Sequence, residues 1–480
     1  MKCSIAFVIA LTPFFFFTSE DTANKYVLMG DKTFSQTSGT NWTVGFASTV
    51  LTPADITADT YFIAGYYTNN PATGVLDDMY ARAVYLDDNT GRGGVILCAI
   101  DSIGLSRNDI NAIRKIVIES GIIPNLKSIN IAATHSHSAI DTQGIWGADF
   151  YSTGRNKEFM KSLRDKTAQA IIAAYNNRRT GNLFVGTKET EDMQIDLRIP
   201  IEYSNTLTRI RFSPTDGSKD TYMVHYTCHP EMLGKNTKQV SADFPAYMGQ
   251  EIARQTGGAD FIFFNGAIGG MISGSRIMEV YEDTAFDCVR YTKDFGKTIG
   301  EVVMSVNNEQ TVRPLLNIAT RSIKVPCNNY MLVLGRLLGV LNNDMTKRPS
   351  GIRASIFSEV GYLELGNQQV GMFLIPGELY SELETGAFLP ASESSLCFDA
   401  DYKVLSQMSE CDNEFVLGLC NDELGYIIPD NDFYLHEWLP YMNIPRDQFN
   451  REHYEETNST GPATARIILE AMDSLVSSVK

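Results

Sequence analysis

The chain has 480 residues, 44% of them hydrophobic, with a mean hydropathy of -0.13 and a net charge of -17. That is enough apolar material for a large core, so neither a disulfide framework nor a structural metal is needed for stability. The acidic balance excludes the basic stripe that a nucleic-acid partner requires, so no such partner is expected.

Residues 1–20 read as a signal peptide. Lys2 precedes a short apolar run that ends in Phe14 to Phe17, and the run is too short for a comfortable transmembrane span. A secreted or extracytoplasmic protein is therefore expected, with residues 21–480 as its folded part. Of eight cysteines, Cys3 lies in the leader. The other seven form no CxxC, and their irregular spacing is not a disulfide framework.

Residues 31–55 are rich in Ser, Thr and Gly and predict turns and short strands. Val84 to Leu86 is strand-like. Gly94 to Ile100 is a continuous apolar run, the pattern of a central strand covered on both faces. Ser106 to Glu119 predicts a helix, with Ser106 or Asn108 as its cap. A strand follows at Ser128 to Ala133 and a long helix at Asn156 to Asn176. Strand and helix in alternation indicate an α/β fold, in which ligands sit beyond the carboxyl ends of strands.

Further strands are expected at Leu207 to Phe212, Tyr222 to Cys228 and Ala259 to Phe264, with a helix at Phe244 to Arg254. A helix from about Ala285 to Val306 precedes strands near residues 316–324, 356–365 and 370–375. Ala463 to Val479 closes the chain as a helix. No repeat or linker interrupts this, which predicts a single large mixed-sheet α/β domain with helices on both faces. Tyr330 to Leu341 is apolar nearly all round and reads as a buried helix; the alternative is a lipid-facing lip beside a site.

Only six histidines occur, and four form two tight pairs at strand ends. His135 and His137 end the Ser128–Ala133 strand. At i and i+2 they share a face, so one can bind a metal while the other hydrogen-bonds substrate or water. His225 and His229 would lie about 13 Å apart on a regular strand and cannot share one ion. His229, at the strand end, is the better ligand, and His225 reads as a core or supporting residue. Glu378 follows Pro376-Gly377 on a turn and is well placed as a third ligand. Asn265 to Gly270 lacks the Lys-Ser/Thr of a phosphate loop, although its amides could face a cleft.

Taken together, these segments resemble the neutral (non-lysosomal) ceramidase family. Thr134-His135-Ser136-His137-Ser138 looks like the family's T-H-x-H-[SA] motif. Cys228-His229-Pro230 with Ser241-Ala242-Asp243-Phe244-Pro245 looks like its second histidine and the S-x-D segment. Asp196-Leu197-Arg198-Ile199-Pro200 resembles its arginine segment, Ile375-Pro376-Gly377-Glu378 its P-G-E turn, and Gly418 to Ile427 its tyrosine segment. The resemblance implies zinc (Zn2+) held by His135, His229, Glu378 and Tyr426, with His137 and Arg198 at the substrate carbonyl. Asp243 would orient a histidine ligand from behind.

The implied reaction is hydrolysis of the amide of an N-acylsphingosine, a ceramide, to sphingosine and fatty acid, with peripheral contact to a membrane. Residues 21–480 would then be a catalytic domain of this type, without the family's carboxy-terminal immunoglobulin-like domain. The family's reactive-serine segment G-D-x-S-P corresponds here to Gly269-Gly270-Met271-Ile272-Ser273. The aspartate is missing and Ser273 is only a neighbour of the serine position. A zinc-hydroxide route survives that change; a serine-dependent one does not. The alternatives are a zinc hydrolase of a non-lipid amide or ester, and a non-catalytic relative that binds lipid or glycan.

Overall fold

The computed structural model describes residues 24–190, 193–273, 287–347 and 354–480. The leader-like segment 1–20 and the start of the expected helix at Ala285 lie outside them. Two stacked sheets form the centre, where the sequence led us to expect one. The larger has nine strands. Its principal strands are β1 (Trp42–Val50), β2 (Tyr80–Asp87), β3 (Val95–Ile100), β4 (Ser128–Ala133), β5 (Arg179–Glu189), β6 (Thr206–Pro214), β7 (Thr221–His225) and β8 (Asp260–Phe264). They run in the order β8-β7-β6-β5-β1-β2-β3-β4, with Gln310–Val312 added on β5. The two end pairs, β8 with β7 and β3 with β4, are parallel; the rest are antiparallel. The second sheet is β9 (Leu316–Cys327), β10 (Ala354–Leu365), β11 (Val370–Leu374) and β12 (Asn413–Leu417), with Met345–Lys347 added on β10.

Strand β3 explains the layering. Its alternate residues Val95, Leu97 and Ala99 face the second sheet, packing in one cluster with Leu363, Met372 and Leu374. Ile96, Cys98 and Ile100 point the other way, onto helices α1 (Arg107–Ser120) and α2 (Lys157–Asn176), against Ile110, Ile113, Leu163 and Ile171. An unbroken apolar run is therefore two alternating faces, both buried, and sequence alone cannot tell which layer covers each. Helices α3 (Phe244–Thr256) and α4 (Cys288–Ser305) cover β7 and β8 through Phe244, Met248, Phe295 and Ile299.

The eight-residue helix α5 (Tyr330–Leu337) and the four-residue α6 (Glu382–Thr385) lie in the loops around the second sheet. Helix α7 (Thr464–Val479) packs Ile468, Leu469 and Met472 on that sheet's outer face. The fold is a mixed α/β domain with helices outside two facing sheets. A buried bidentate pair, Arg114 with Glu359 at 2.6 and 3.0 Å, ties α1 to β10.

Two local expectations change. Residues 42–50 form one nine-residue strand, because Trp42 and Val44 find a core to bury in. Helix α5 is not buried. Val333 alone is fully covered in it, while Met331 and Leu334 are 38% and 43% exposed and Leu338 beyond it 51%. The helix ends at Leu337, before Gly339 in the left-handed region, too soon for its whole surface to meet the core.

Candidate metal centre

The site forms where strands end. His135 and His137 follow β4, His229 follows β7, Asn265 follows β8, Glu378 follows β11 and Tyr426 follows β12. All lie beyond carboxyl ends, where a mixed sheet leaves room for a ligand. Asn265 joins the histidine segments. Its amide nitrogen donates to the carbonyls of Thr134 and Cys228, each at 3.0 Å, and its oxygen accepts from Cys228 N–H at 3.0 Å. These are the residues immediately before His135 and His229. His135 itself turns sharply, with φ at 69°, and its N–H donates to the Ser102 carbonyl at 2.9 Å. A left-handed non-glycine residue costs about 1–2 kcal/mol, so the surroundings must hold it there. Gly418 lets the second sheet reach the same point, since a Cβ there would lie 2.3 Å from the Gly266 carbonyl oxygen.

The imidazoles of His135, His137 and His229 place ligating nitrogens within 4.8 Å of one another. His135 Nδ1 lies 2.6 Å from the Ile103 carbonyl, and His229 Nδ1 lies 2.6 Å from that of Met271. A carbonyl only accepts, so both Nδ1 atoms carry the proton, which leaves both Nε2 atoms as electron-pair donors. Those Nε2 atoms lie 3.4 and 3.2 Å from the same Glu378 oxygen. Three electron-pair donors facing one another require a proton or a cation between them. Burial opposes the Glu378 charge, but with a proton on the histidine side His135 and His229 more than offset it and hold the carboxyl below its ordinary value; a bound cation in the proton's place would act in the same direction. Tyr426 pairs with Glu378 in a short parallel ladder, so both side chains start from one point. Burial, then the Glu378 charge, pushes its phenol well above the usual range. This donor set, two oriented imidazoles with a carboxylate and a phenol beside them, suits a zinc-like divalent cation.

His137 is different. Neither ring nitrogen has a hydrogen-bond partner among the described residues. Burial first, then His135 and His229, holds its pKa well below 6.5, so the ring is neutral. Its Nδ1 lies 3.8 Å from Glu231, whose carboxylate accepts from Tyr66 OH at 3.0 Å. Gly65 makes room for the ring: its φ is 110°, and a Cβ there would come within 2.7 Å of the His137 side chain.

Three expected residues, Arg198, Ser273 and Asp243, are placed elsewhere, and His225 lies in the core as expected. Arg198 does not reach the imidazoles. Its guanidinium is buried against Glu455 (3.0 Å), Glu456 (2.8 Å) and the Asp432 carboxylate (3.0 Å). Burial disfavours its charge, and Glu456 with Glu455 more than restores it. The Ser273 hydroxyl is buried and makes no hydrogen bond, to the histidines or to anything else among the described residues; the neighbouring Met271 is what touches His229. Asp243 does not touch an imidazole either. At φ 60° it caps α3 and accepts from the N–H groups of Met232, Leu233 and Phe244, fixing the loop after His229. His225 is a core residue stacked on Phe415 at 4.4 Å between centroids, and burial pushes its pKa down to about 3.

A cavity of about 300 Å³ opens beside the centre. His135, His137, Glu378 and Tyr426 border it, with Ile145, Trp146, Leu332 and Leu341 as apolar wall. Gln143 and Glu423 add polar groups that sequence reasoning did not single out. Ile103 and Met271 were also missed; they act through backbone carbonyls, which carry no residue-specific signal. The seven cysteines among the described residues form no disulfide with one another.

No protein-family model matches the sequence, and no curated protein does. Solved structures do match. One is a neutral ceramidase from Pseudomonas aeruginosa, with a TM-score of 0.68 at 12% identity over 91% of this chain and 74% of that one. Another is a ceramidase complexed with C2, with a TM-score of 0.67 at 12% identity over 91% and 75%. At such identity the likeness is one of backbone, and it extends over 91% of this chain. The chain carries the fold of the neutral ceramidases.

Proposed function

We propose that the protein is a zinc-dependent amide hydrolase acting on a lipid amide of the ceramide type. The observation that supports this most is the pair of imidazoles whose Nδ1 atoms are held by backbone carbonyls while both Nε2 atoms face one Glu378 oxygen. His135, His229 and Glu378 would hold the ion, with Tyr426 beside them. When bound, the ion supplies Lewis acidity toward the carbonyl and lowers the pKa of water. His137, neutral and without a partner, is free to take a proton from the attacking water and return it to the leaving nitrogen. Glu231 faces its Nδ1 and favours the transient imidazolium. Arg198 has no part in this reading, and neither does Ser273.

The apolar wall of the cavity suits an acyl or alkyl chain. The exposed side chains of Ile145, Phe150, Tyr151, Leu334 and Leu338 favour peripheral contact with a membrane. No helix among the described residues is long and apolar enough to cross one. The leader-like segment fits an exported enzyme.

The test is metal analysis paired with hydrolysis. Purified protein should contain about one zinc per chain and release fatty acid from a short-chain ceramide, with activity lost to a chelator and restored by zinc. Intact metal with turnover of other labelled amides or esters, and none of ceramide, would favour the non-lipid hydrolase. The polar groups of Gln143 and Glu423 are the observation on that side. Binding of lipid with no turnover of any amide would leave a non-catalytic relative.

A further inference from the structure

A further pocket, of about 270 Å³, lies outside the metal centre. Four cations border it, Arg155, Lys157, Arg164 and Arg336, and no carboxylate does, in a chain whose net charge is -17. Leu341 borders both this pocket and the metal cavity, so the two are neighbours. None of the centre's histidines, nor Glu378, lines it.

One buried carboxylate stands behind the cations. Asp109, 1% exposed, accepts from Arg155 at 2.8 and 3.0 Å and from Arg164 at 2.8 Å. It accepts from the Asn342 amide at 3.1 Å as well, which leaves little capacity for a third cation. Arg336 is served differently. Its Nε donates to the Asn343 carbonyl, a neutral acceptor, at 2.9 Å. Burial disfavours its charge, Asp344 partly restores it, and Arg155 opposes it again. Asp344 is itself paired with Arg107 at 3.3 Å. Neither Arg336 nor Lys157 has a carboxylate ion-pair partner among the described residues.

The cations are also placed before any ligand arrives. Arg155 donates to the Thr142 carbonyl at 2.6 Å. Lys157 and Arg164 stand about two turns apart on one face of α2. Guanidinium forks match the oxygens of a phosphate, and an ammonium adds a point charge. Like charges held this close repel, and a multiply charged oxyanion relieves that better than a single carboxylate does.

We propose that Arg155, Lys157, Arg164 and Arg336 bind a phosphate group at a site separate from the metal centre. Arg336 and Arg164 donate from N–H groups that take no other partner among the described residues, and Lys157 closes the exposed side. The site does not depend on the hydrolase reading. Its phosphate is free in solution or carried on a lipid, since the exposed Leu334 and Leu338 lie on and just beyond the helix that bears Arg336.

The test has two arms on the intact zinc-loaded chain. Calorimetry measures inorganic phosphate, and flotation with phosphatidylcholine vesicles, with and without phosphatidic acid, measures the lipid-borne group. The unaltered protein should bind in at least one arm; calorimetry alone assigns a free ligand, and flotation alone a lipid headgroup. Arg336→Gln should weaken that binding at least ~10-fold and Lys157→Gln about threefold. Lys161→Gln, one turn along α2 and already paired with Asp165 at 2.9 Å, should change it less than about twofold. Binding in neither arm overturns the site. So does binding that Arg336→Gln leaves unchanged or, should that variant fail to fold, that Lys157→Gln at its exposed position leaves unchanged. Phosphate binding lost in His135→Ala belongs to the metal and overturns it, and acetate bound as tightly as phosphate overturns it in favour of a carboxylate.

Discussion

Two buried polar clusters lie on either side of Tyr454, and they are built on opposite principles. Around Arg198 the guanidinium meets Glu455, Glu456 and Asp432, and His453 closes the ring on Glu456 at 2.7 Å. Each of these three carboxylates meets the one guanidinium. Around His135, His137, His229 and Glu378, donors of electron pairs face one another, and neither ring nitrogen of His137 has a hydrogen-bond partner among the described residues. The same residue types produce a closed brace in one place and an open centre in the other. What separates them is whether the protein itself completes the bonding, and that is visible only when partners are in place.

The sharpest way to break the comparison is to remove a donor from the open centre. His135→Ala and His229→Ala should each reduce bound zinc from about one to under ~0.1 per chain and hydrolysis by more than ~1000-fold, with the fold retained. Elemental analysis and circular dichroism check both parts. Retained zinc in either variant would remove that histidine from the centre.

The closed cluster should respond in the other currency. Arg198→Met removes the guanidinium from Glu455, Glu456 and Asp432, of which Asp432 keeps Arg451 at 3.3 Å, and should cost about 3–5 kcal/mol of stability in urea titrations, with zinc content unchanged. The effect should depend on pH. Burial opposes the Glu456 charge, but Arg198 and His453 more than offset it and keep the carboxyl below 4.5. A depressed carboxylate contributes its stability above its unfolded pKa and loses it as pH falls through the folded value. The gap between parent and variant should therefore be largest near neutrality and shrink below about pH 4.5. A gap that widens on acidification would mean Arg198 does not neutralise this carboxylate.

A smaller effect is expected from Asn265→Ala, which removes the link between the two histidine segments without touching a ligand. Zinc affinity should fall by about 10–100-fold, with a similar or smaller loss of activity at saturating zinc. Competition against a chromophoric chelator measures it. Unchanged affinity would mean the strands alone set the histidine spacing. The smallest effect should come from Ser273→Ala, within about threefold in turnover, because its hydroxyl makes no hydrogen bond to the centre. A loss beyond about 100-fold would restore a serine-dependent route.

Much of this was readable in advance, and the limits have physical causes. Local pattern placed β3, β4, α1, α2, α3 and α7 to within a residue or two, because their periodicity or caps are strong. The sequence also points to His135, His229, Glu378 and Tyr426, and the structure sets both imidazoles against Glu378 with Tyr426 paired to it. Layering was not legible, since the Val95 to Ile100 run is equally apolar whether a helix or a sheet covers it. Arg198 was misplaced because a motif gives position along the chain but not the partners that saturate a side chain. For α5 the buried reading was preferred over the exposed lip, because hydrophobicity all round says what a helix could bury, not what is there to cover it. Gln143 and Glu423 could not be chosen from the sequence; they stand out only as polar atoms that three dimensions fail to satisfy.

The two histidines of the centre are aimed by the carbonyls of Ile103 and Met271, which no point substitution can delete. Evolution can therefore repaint the chamber around the ion while the chemistry at its floor stays the same. At 12% identity to the Pseudomonas aeruginosa neutral ceramidase the backbone is still shared over 91% of this chain, so side chains can differ widely on one frame. Efforts to redirect it should vary the walls and leave those two peptide groups in the shape they already have.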